Sequence, residues 1–481
     1  MFISFQIGIT INDQIIKLKI LAVTGDCPAL KIALNFIAHN GYHCCYFCYI
    51  RGIHRNGKRQ YPFESDNAIR KPQHFAQDAA IASEFKCNEK GHLGLSVLHS
   101  LLDIPLPHSV IIDYAHVSLL RHSKSIFIEF YRRSRPLVRN EIDDLIRKQC
   151  FPHFFHRKMK PFTDLSFVKA TEIRNTLFYG FLPIFYQRAP IDLLTHFGLY
   201  ITALRLLHGA PILGSKTLKV ANDLLVKYYE NFSNFYIDLE NFVLHLHSHY
   251  PTQCNRFGSL SHLGSFGQES LIGYVGSNHT GTRYHGNLIC ENYSLDFLVH
   301  HVLETNDLST VTTDGPFDQD VSFDFKSNDI FLDFHDQICI CSSIDSCMVA
   351  FRRCTINQHV FHSLQYKKRQ KSVSYLVRFR RTNDPLSYMF GNIVIFFRHA
   401  NLTYALIEKY SIQCLFSDLL STSRYHRLLV GSIDHFFYVV SRNYFVGYEC
   451  VVVSRIVDHC ILFECSDFCI ITPLSSYDEH D

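Results

Sequence analysis

IKLKILAVTGDCPA, residues 16–29, carries the clearest fold signal in this chain. Residues 16–23 alternate between apolar and polar side chains and then become continuously apolar, as expected of a strand that enters a hydrophobic core. The strand ends at Gly25-Asp26, and Pro28 suits the first turn of a helix that we expect to continue to about residue 38. This order places the Asp26 carboxylate at the carboxyl end of a strand, where α/β proteins commonly do chemistry.

The composition indicates a folded protein with more than one domain. The chain has 481 residues, of which 47% are hydrophobic and 14% aromatic, so it can bury a substantial core over two or three domains. Its net charge is only +3. Any binding to nucleic acid must therefore come from local basic patches rather than from the charge of the whole chain.

Cysteine usage and hydropathy bear on the compartment. The 17 cysteines are odd in number and scattered, which favours reduced thiols and an intracellular protein over a disulfide framework. No apolar run approaches 18 residues, so we expect no membrane-spanning helix. The first ten residues lack the basic start and the cleavage site of a signal peptide.

Periodicity divides the chain into five predicted segments. Helical spacing of apolar residues marks 171–186, 191–208 and 218–236. Residues 304–336 hold Glu304 and eight aspartates, which indicates an acidic linker, and short strand-like runs follow it. The segments are a partial core at 1–60, a mainly helical insertion at 61–240, a His- and Glu-containing segment at 241–303, an acidic linker at 304–340 and a small β-rich domain at 341–481.

Two short motifs have the spacing of metal ligands. Cys45-x-x-Cys48 and His245-x-x-x-His249 together supply two thiolates and two imidazoles, a donor set suited to a closed tetrahedral zinc site. Chance alone gives roughly 0.6 pairs of the first kind and roughly 1.7 of the second in this composition. Unrelated buried thiols and surface or core histidines are therefore the competing interpretation, and Cys44 is a possible rival ligand.

Single carboxylates and one basic cluster complete the candidates. Asp26 and Glu269 are each open to interpretation as helix caps or solvated charges. Asp113-x-x-His116 follows an apolar run and is open to interpretation as a local hydrogen-bonded pair. The cluster with Lys367, Lys368, Arg369 and Lys371 suits phosphate contacts, although by residue type alone a solvated loop is the favoured interpretation.

The order of these motifs resembles the CACTA (EnSpm) family of DDE transposases over about residues 16 to 300. Asp26-Cys-Pro-Ala is similar to the family's Asp-x-Pro-Ala, and the segment that ends in Cys45-Tyr-Phe-Cys48 is similar to its cysteine knuckle. Downstream, the family's remaining motifs are matched in order by Asp113-Tyr-Ala-His116, Lys169-Ala-Thr-Glu172, His245-Leu-His-Ser-His249 and Ser265-Phe-Gly-Gln-Glu269.

The resemblance implies an α/β fold: a partial RNase H-like catalytic core with a large mainly helical insertion, followed by an all-β domain. It implies that Asp26 and Glu269 bind catalytic Mg²⁺ for DNA cleavage and strand transfer. It also implies that Cys45, Cys48, His245 and His249 hold a structural Zn²⁺. The expected partner is DNA at transposon ends, with a homo-oligomer possible, in the nucleus and away from membranes.

The chain departs from the family pattern at several positions. The family's first catalytic aspartate lies far upstream of the second, and only Asp13 precedes Asp26. We therefore expect an N-terminally truncated transposase that is inactive alone. Val168, Ser259 and Gln268 also replace usual family residues. The alternatives are a non-catalytic zinc-stabilised DNA- or protein-binding module captured from a transposon, and an unrelated globular protein with chance motifs.

Overall fold

The structure, a computed structural model, describes most of the chain. The described residues are 9–11, 14–17, 19–277, 285–306, 314–319, 322–327, 329–341, 347–366, 372–381 and 387–474. None of the helices in these ranges is both long and apolar enough to cross a membrane. Asp13 and the basic cluster Lys367, Lys368, Arg369 and Lys371 lie outside the described residues.

The described helices are spread over the whole chain. The α-helices are α1 Cys27–Ala33, α2 Pro72–Phe85, α3 Lys124–Arg133, α4 Pro136–Lys148, α5 Ala170–Asn175, α6 Phe181–Phe185, α7 Ile191–His208, α8 Thr217–Glu230, α9 Phe242–Leu246, α10 Tyr250–Phe257, α11 Phe266–Ser277, α12 His285–Asn306, α13 Asp329–Ile338 and α14 His426–Leu429. Two further stretches, Ala115–Ser123 and Thr176–Gly180, are π-helical. Single 3-10 turns lie at Val97–Ser100, Phe162–Phe167, Gly214–Lys216, Phe232–Asn234, His247–His249, Leu260–His262, Phe325–Ser327, Phe416–Leu420, Ile433–His435 and Val453–Arg455.

The described strands are short in the first part of the chain and long near its end. They are β1 Ile9–Ile11, β2 Gln14–Ile16, β3 Val23–Gly25, β4 Ile53–Arg55, β5 Lys58–Gln60, β6 Val110–Ile112, β7 Gly315–Phe317, β8 Met348–Phe351, β9 Arg353–Ile356, β10 His359–His362, β11 Leu376–Arg380, β12 Tyr388–His399, β13 Leu402–Leu415, β14 Tyr438–Val452, β15 Ile456–Glu464 and β16 Phe468–Pro473.

Two compact units divide the chain: residues 1–127 with 199–266, and residues 128–198 with 267–481. This division differs from the five predicted segments, because the helices of the predicted insertion at 61–240 are shared between the two units. In the first unit, β3 and β6 pair in parallel with Gly25 opposite Ile112. Asp26 and Asp113 therefore both follow the carboxyl end of a strand at the same edge of this small sheet.

The first predicted helix is shorter than expected. It ends at Ala33 rather than near residue 38. Asn35 adopts a left-handed conformation (φ 48°), and the amide of Phe36 donates back to the Lys31 carbonyl at 3.0 Å. This pattern closes the helix in the manner of a Schellman motif, so the apolar residues beyond Leu34 pack outside any helix.

The second unit contains a large antiparallel sheet, which confirms the prediction of a β-rich C-terminal region. The sheet runs in the order β11-β15-β16-β14-β13-β12-β8, and β11 also pairs with β12. This last pairing closes six of the strands into a ring and leaves β8 as an addition on β12. Buried apolar side chains such as Phe379, Phe396 and Ile407 cluster together in its core.

Part of the predicted acidic linker is folded. Residues 315–317 form β7, which pairs with β9, and residues 329–338 form α13. Phe331 of this helix is fully buried in a cluster with Phe397 and Leu406 of the sheet. The prediction of a linker was wrong here because the helix carries its acidic residues on one face and a core-facing apolar stripe on the other.

Candidate metal centre and adjoining cavity

A tight loop in the first unit presents the two knuckle cysteines. Cys45 and Cys48 are buried, as are Tyr46 and Phe47 between them. The Phe47 amide donates to the Cys45 sulfur at 3.4 Å, a contact that favours the thiolate form. The loop therefore turns both sulfurs toward the interior.

The side chain of Arg70 hydrogen-bonds to the loop that carries Cys45 and Cys48. Its Nε donates to the carbonyl oxygens of Cys45 and Cys48, at 3.0 Å in each case, and its Nη2 donates to the Lys90 carbonyl at 2.6 Å. The side chain is fully buried, and its charge is offset by Asp78, 3.8 Å away. Such contacts beyond the ligands fix ligand geometry in metal sites.

The two histidines come from a helix and the turn that follows it. Asn241 caps the start of helix α9: its side chain accepts from the Leu244 amide at 3.0 Å, as a good N-cap does. The spacing of four residues brings His245 and His249 to the same side, with their Nε2 atoms 3.2 Å apart. His247, between them, faces away and contacts Ser118 and Tyr200 instead, at 3.1 Å each.

The four side chains meet although the two motifs are far apart in sequence. The Cys45 sulfur lies 3.4 Å from Nε2 of His249, and the Cys48 sulfur lies 3.2 Å from Nε2 of His245. All four ligand atoms lie within 4.8 Å of one another. Tetrahedral zinc with bonds of about 2.3 Å to sulfur and about 2.0 Å to nitrogen spaces sulfur and nitrogen by about 3.5 Å. The cluster can therefore hold a metal such as zinc.

The pKa shifts of His245 and Cys45 favour their metal-binding forms. Burial lowers the pKa of His245 and so favours the neutral imidazole that binds metals. Burial opposes ionisation of Cys45, but the neighbouring Cys48 thiol and the two imidazoles outweigh it and hold the pKa of Cys45 well below its usual range. The hydrogen bond with Cys45 and burial raise the pKa of Cys48 well above its usual range. Zinc requires thiolates and neutral imidazoles, so its binding would displace the proton of Cys48.

Cys44 does not compete for the same position. Its sulfur lies 2.9 Å from the Tyr61 hydroxyl and 3.5 Å from the His39 carbonyl, and burial raises the pKa of its thiol well above the usual range. The side chain is therefore a buried, protonated thiol on the opposite side of the loop.

The two strand-end aspartates have local partners. Asp26 caps α1, accepting from the Ala29 amide at 2.8 Å. Asp113 is buried and lies 2.6 Å from Nδ1 of His116. Burial alone would raise the pKa of Asp113, but hydrogen bonds from His116 and Ser265 outweigh it and lower the pKa below its usual value. The helix cap at Asp26 and the hydrogen-bonded pair of Asp113 with His116, both interpretations that the sequence left open, are thus present in the structure.

A cavity of about 510 Å³ adjoins Asp26 and His116 in the first unit. Three basic side chains, Lys58, Arg59 and Arg121, also line it. Arg59 stacks on the Tyr42 ring at 3.5 Å, and its Nη1 atom is buried with no hydrogen-bond partner among the described residues. Asp26 is the one carboxylate among the lining residues. The charged side chains that line the cavity are thus mostly cationic, which suits an anionic ligand.

Glu269 belongs to the second unit. It occupies the first turn of α11, where its side chain is exposed. Within the first unit, the four Cys and His ligands form one group. Asp26 lines a cavity together with His116, the hydrogen-bond partner of Asp113.

Several residues of this region were not singled out from sequence. Arg70 sits in a loop, and no local motif marks it. Lys58, Arg59 and Arg121 come from β5 and a π-helical segment, and only folding brings them to one cavity. A comparison of the chain with protein-family models finds no match, and a comparison with curated proteins finds none either.

Proposed function

We propose that this chain is a transposase-derived protein of the CACTA (EnSpm) DDE type, with an RNase H-like core that a structural zinc stabilises and that binds DNA in the nucleus. The observation that carries the proposal is the meeting of Cys45 and Cys48 with His245 and His249. The family resemblance requires this meeting, whereas chance motifs would have no reason to converge. Zinc bound there would supply folding energy and no chemistry.

The strand order around Asp26 supports an RNase H-like core. An RNase H-like DDE core needs parallel strands with a carboxylate at a carboxyl end. Here β3 leads to Asp26, β6 leads to Asp113, and the two strands pair in parallel. The zinc ligands connect the loop after Asp26 to the segment that precedes Glu269 in sequence, which is the order that the family resemblance implies.

The cationic cavity supports DNA as the partner. Lys58, Arg59 and Arg121 present positive charge beside Asp26, and arginine and lysine bind DNA phosphates without regard to base sequence. The expected ligand is therefore a DNA backbone rather than a particular base sequence.

A second candidate is a non-catalytic, zinc-stabilised DNA-binding module. The observation that favours it is the donor set of the cavity, because Asp26 is the one carboxylate among three cationic side chains. Mg²⁺ binds through one or two carboxylates with water and substrate phosphates, and here a single carboxylate lies among three cationic side chains that repel the ion. We therefore assign no chemical step to Mg²⁺ at this cavity.

DNA binding tests the proposal directly. The double variant Lys58→Gln/Arg121→Gln removes two cationic groups from the cavity, and Lys71→Gln removes an exposed charge that does not line it. Fluorescence anisotropy with a labelled duplex should show weaker binding by the double variant alone, with the salt slope lower by up to about 2. Equal affinities for wild type and the double variant would contradict DNA binding at this cavity.

An endonuclease assay separates the two candidates. Mg²⁺-dependent nicking by wild type that is lost in Asp26→Asn would identify the chain as an active enzyme. Binding without nicking, retained or slightly tightened by Asp26→Asn, would identify the non-catalytic module. Asn retains the capping ability of Asp, so neither outcome is confounded by unfolding of α1.

A further inference from the structure

A second group of cysteines and a histidine gathers in the other unit. His335 lies on α13, Cys339 and Cys341 follow directly after this helix, and Cys347 directly precedes β8. Nε2 of His335 lies 3.4 Å from the sulfur of Cys347 and 3.4 Å from that of Cys341. The four ligand atoms lie within 4.8 Å of one another, the same spread as in the first cluster.

The histidine of this group is placed as a metal ligand. Its side chain is almost fully buried, and while Nε2 faces the sulfurs, Nδ1 lies 3.4 Å from the Asp336 carboxylate. Metal-bound histidines commonly donate their other ring nitrogen to a carboxylate, which fixes the tautomer that leaves the ligating nitrogen free. The ring is therefore oriented as a carboxylate–histidine–metal arrangement requires.

The cysteine turn shares a further detail with the first cluster. The Cys341 amide donates to the Cys339 sulfur at 3.4 Å, as the Phe47 amide donates to the Cys45 sulfur at 3.4 Å. In both loops the donor is the amide two residues after the cysteine. This contact places a positive dipole against the sulfur and favours its thiolate form.

We propose that His335, Cys339, Cys341 and Cys347 hold a second structural zinc as a Cys₃His site. Three thiolates and one imidazole are a frequent donor set of closed zinc sites. The sulfurs of Cys339 and Cys341 are 2.7 Å apart and would separate to about 3.7 Å around a tetrahedral ion. The metal would link the C-terminal end of α13 to the start of β8, the strand that pairs only with β12 in the large sheet.

This site is separate from the proposed function, because it lies wholly in the second unit and shares no residue with the cavity or the first cluster. Its contribution is folding stability of the region that joins α13 to the sheet. If one of the two proposals is wrong, the other still stands, so their tests give distinguishable results.

Metal analysis of the full chain tests the inference. Wild type purified with Zn²⁺ present should carry about two zinc ions per chain, and Cys339→Ser/Cys341→Ser about one. The matched control Cys150→Ser/Cys414→Ser removes two cysteines of the same unit outside the group and should keep about two. Equal zinc content in wild type and the Cys339→Ser/Cys341→Ser variant would overturn the proposal.

A second measurement tests the proposal even if Cys339→Ser/Cys341→Ser impairs folding. The variant Cys45→Ser/Cys48→Ser removes the thiolates of the first cluster and leaves the second intact. Loaded with Co²⁺, it should show tetrahedral d–d absorption and the charge-transfer bands of thiolate ligands. Absence of these bands, or a Cys339–Cys341 disulfide found by mass spectrometry after rapid thiol blocking, would overturn the proposal.

Discussion

The sulfur of Cys48 lies 3.2 Å from Nε2 of His245, although 197 positions separate the two residues in sequence. Bringing such distant segments together costs loop-closure entropy, which grows slowly with loop length. A metal whose ligands come together only in the folded chain binds the folded state more tightly than the unfolded one, and so stabilises it. The first unit should depend on that metal.

Removal of zinc should therefore destabilise the first unit. Treatment with a strong chelator is expected to lower its free energy of unfolding by several kcal/mol, on the order of 4 or more. Thermal unfolding followed by circular dichroism, with and without chelator, measures the change, and re-addition of Zn²⁺ should restore the original curve. Superimposable curves would contradict a structural role for zinc in this unit.

Arg70 should be required for the knuckle, although it is not a ligand. Arg70→Lys keeps the charge but cannot reproduce the bonds of the guanidinium to the Cys45, Cys48 and Lys90 carbonyls, so we expect a loss of about 3 kcal/mol. Urea denaturation and competition with a zinc-binding dye measure stability and affinity. Arg51→Lys, at an exposed position over the Tyr42 ring, is the matched control, and an equal effect in both variants would refute the assignment.

The Asp26 side chain both caps α1 and places a negative charge in the cavity. Two substitutions distinguish these roles. Asp26→Ala should cost about 1 kcal/mol because the Ala29 amide loses its acceptor, whereas Asp26→Asn should cost only a few tenths. Both variants remove a negative charge from the cationic cavity and should tighten DNA binding slightly if the protein only binds DNA. Chemical denaturation and anisotropy report the two effects, and equal stability of both variants would exclude the cap as a stabilising contact.

The second unit should lose stability in mild acid. His362 stacks on His153 at 4.4 Å, and burial, with the nearby His153 and Arg353, lowers the pKa of His362 to about 3. Because this pKa is depressed in the folded state, the contribution of His362 is fully present above about pH 6.5 and is lost as pH falls from there toward the folded-state value.

Urea unfolding of the second unit at several pH values measures this effect. Between pH 7 and pH 5, the free energy of unfolding should change less with pH in His362→Phe than in wild type. The slope should correspond to up to about one proton fewer taken up on unfolding. An unchanged pH dependence in His362→Phe would contradict the account of His362.

Strong local patterns made parts of the fold predictable. Helix α7 has the bounds Ile191–His208 that periodicity predicts, because apolar residues occupy each turn and Pro190 and Gly209 flank it. Helix α1 ended early because a left-handed Asn35 closed it, which depends on packing rather than on composition. The acidic residues of α13 predict a linker, although the spacing of Phe331, Phe334 and Ile338 is that of a helix with one apolar face.

The candidate metal centre was predictable only through the order of its motifs. With this composition, pairs spaced like Cys45-x-x-Cys48 and His245-x-x-x-His249 are expected about as often by chance. Only the order of motifs in the transposase family indicates that these two pairs belong to one site. Arg70 and the basic residues of the cavity could not be found this way, because their roles arise from contacts between distant segments. The His335 group was missed because its cysteines do not follow the Cys-x-x-Cys spacing and its first members lie within the predicted linker.

Zinc content in two neighbouring cysteine variants tests the central claim most directly. Cys44 and Cys48 are both buried in the same loop, but only Cys48 faces the histidines. Metal analysis should find that Cys48→Ser carries about one zinc ion fewer per chain than wild type, while Cys44→Ser carries the wild-type amount. Equal zinc content in Cys48→Ser and wild type would contradict the assignment of Cys45, Cys48, His245 and His249 as one metal site.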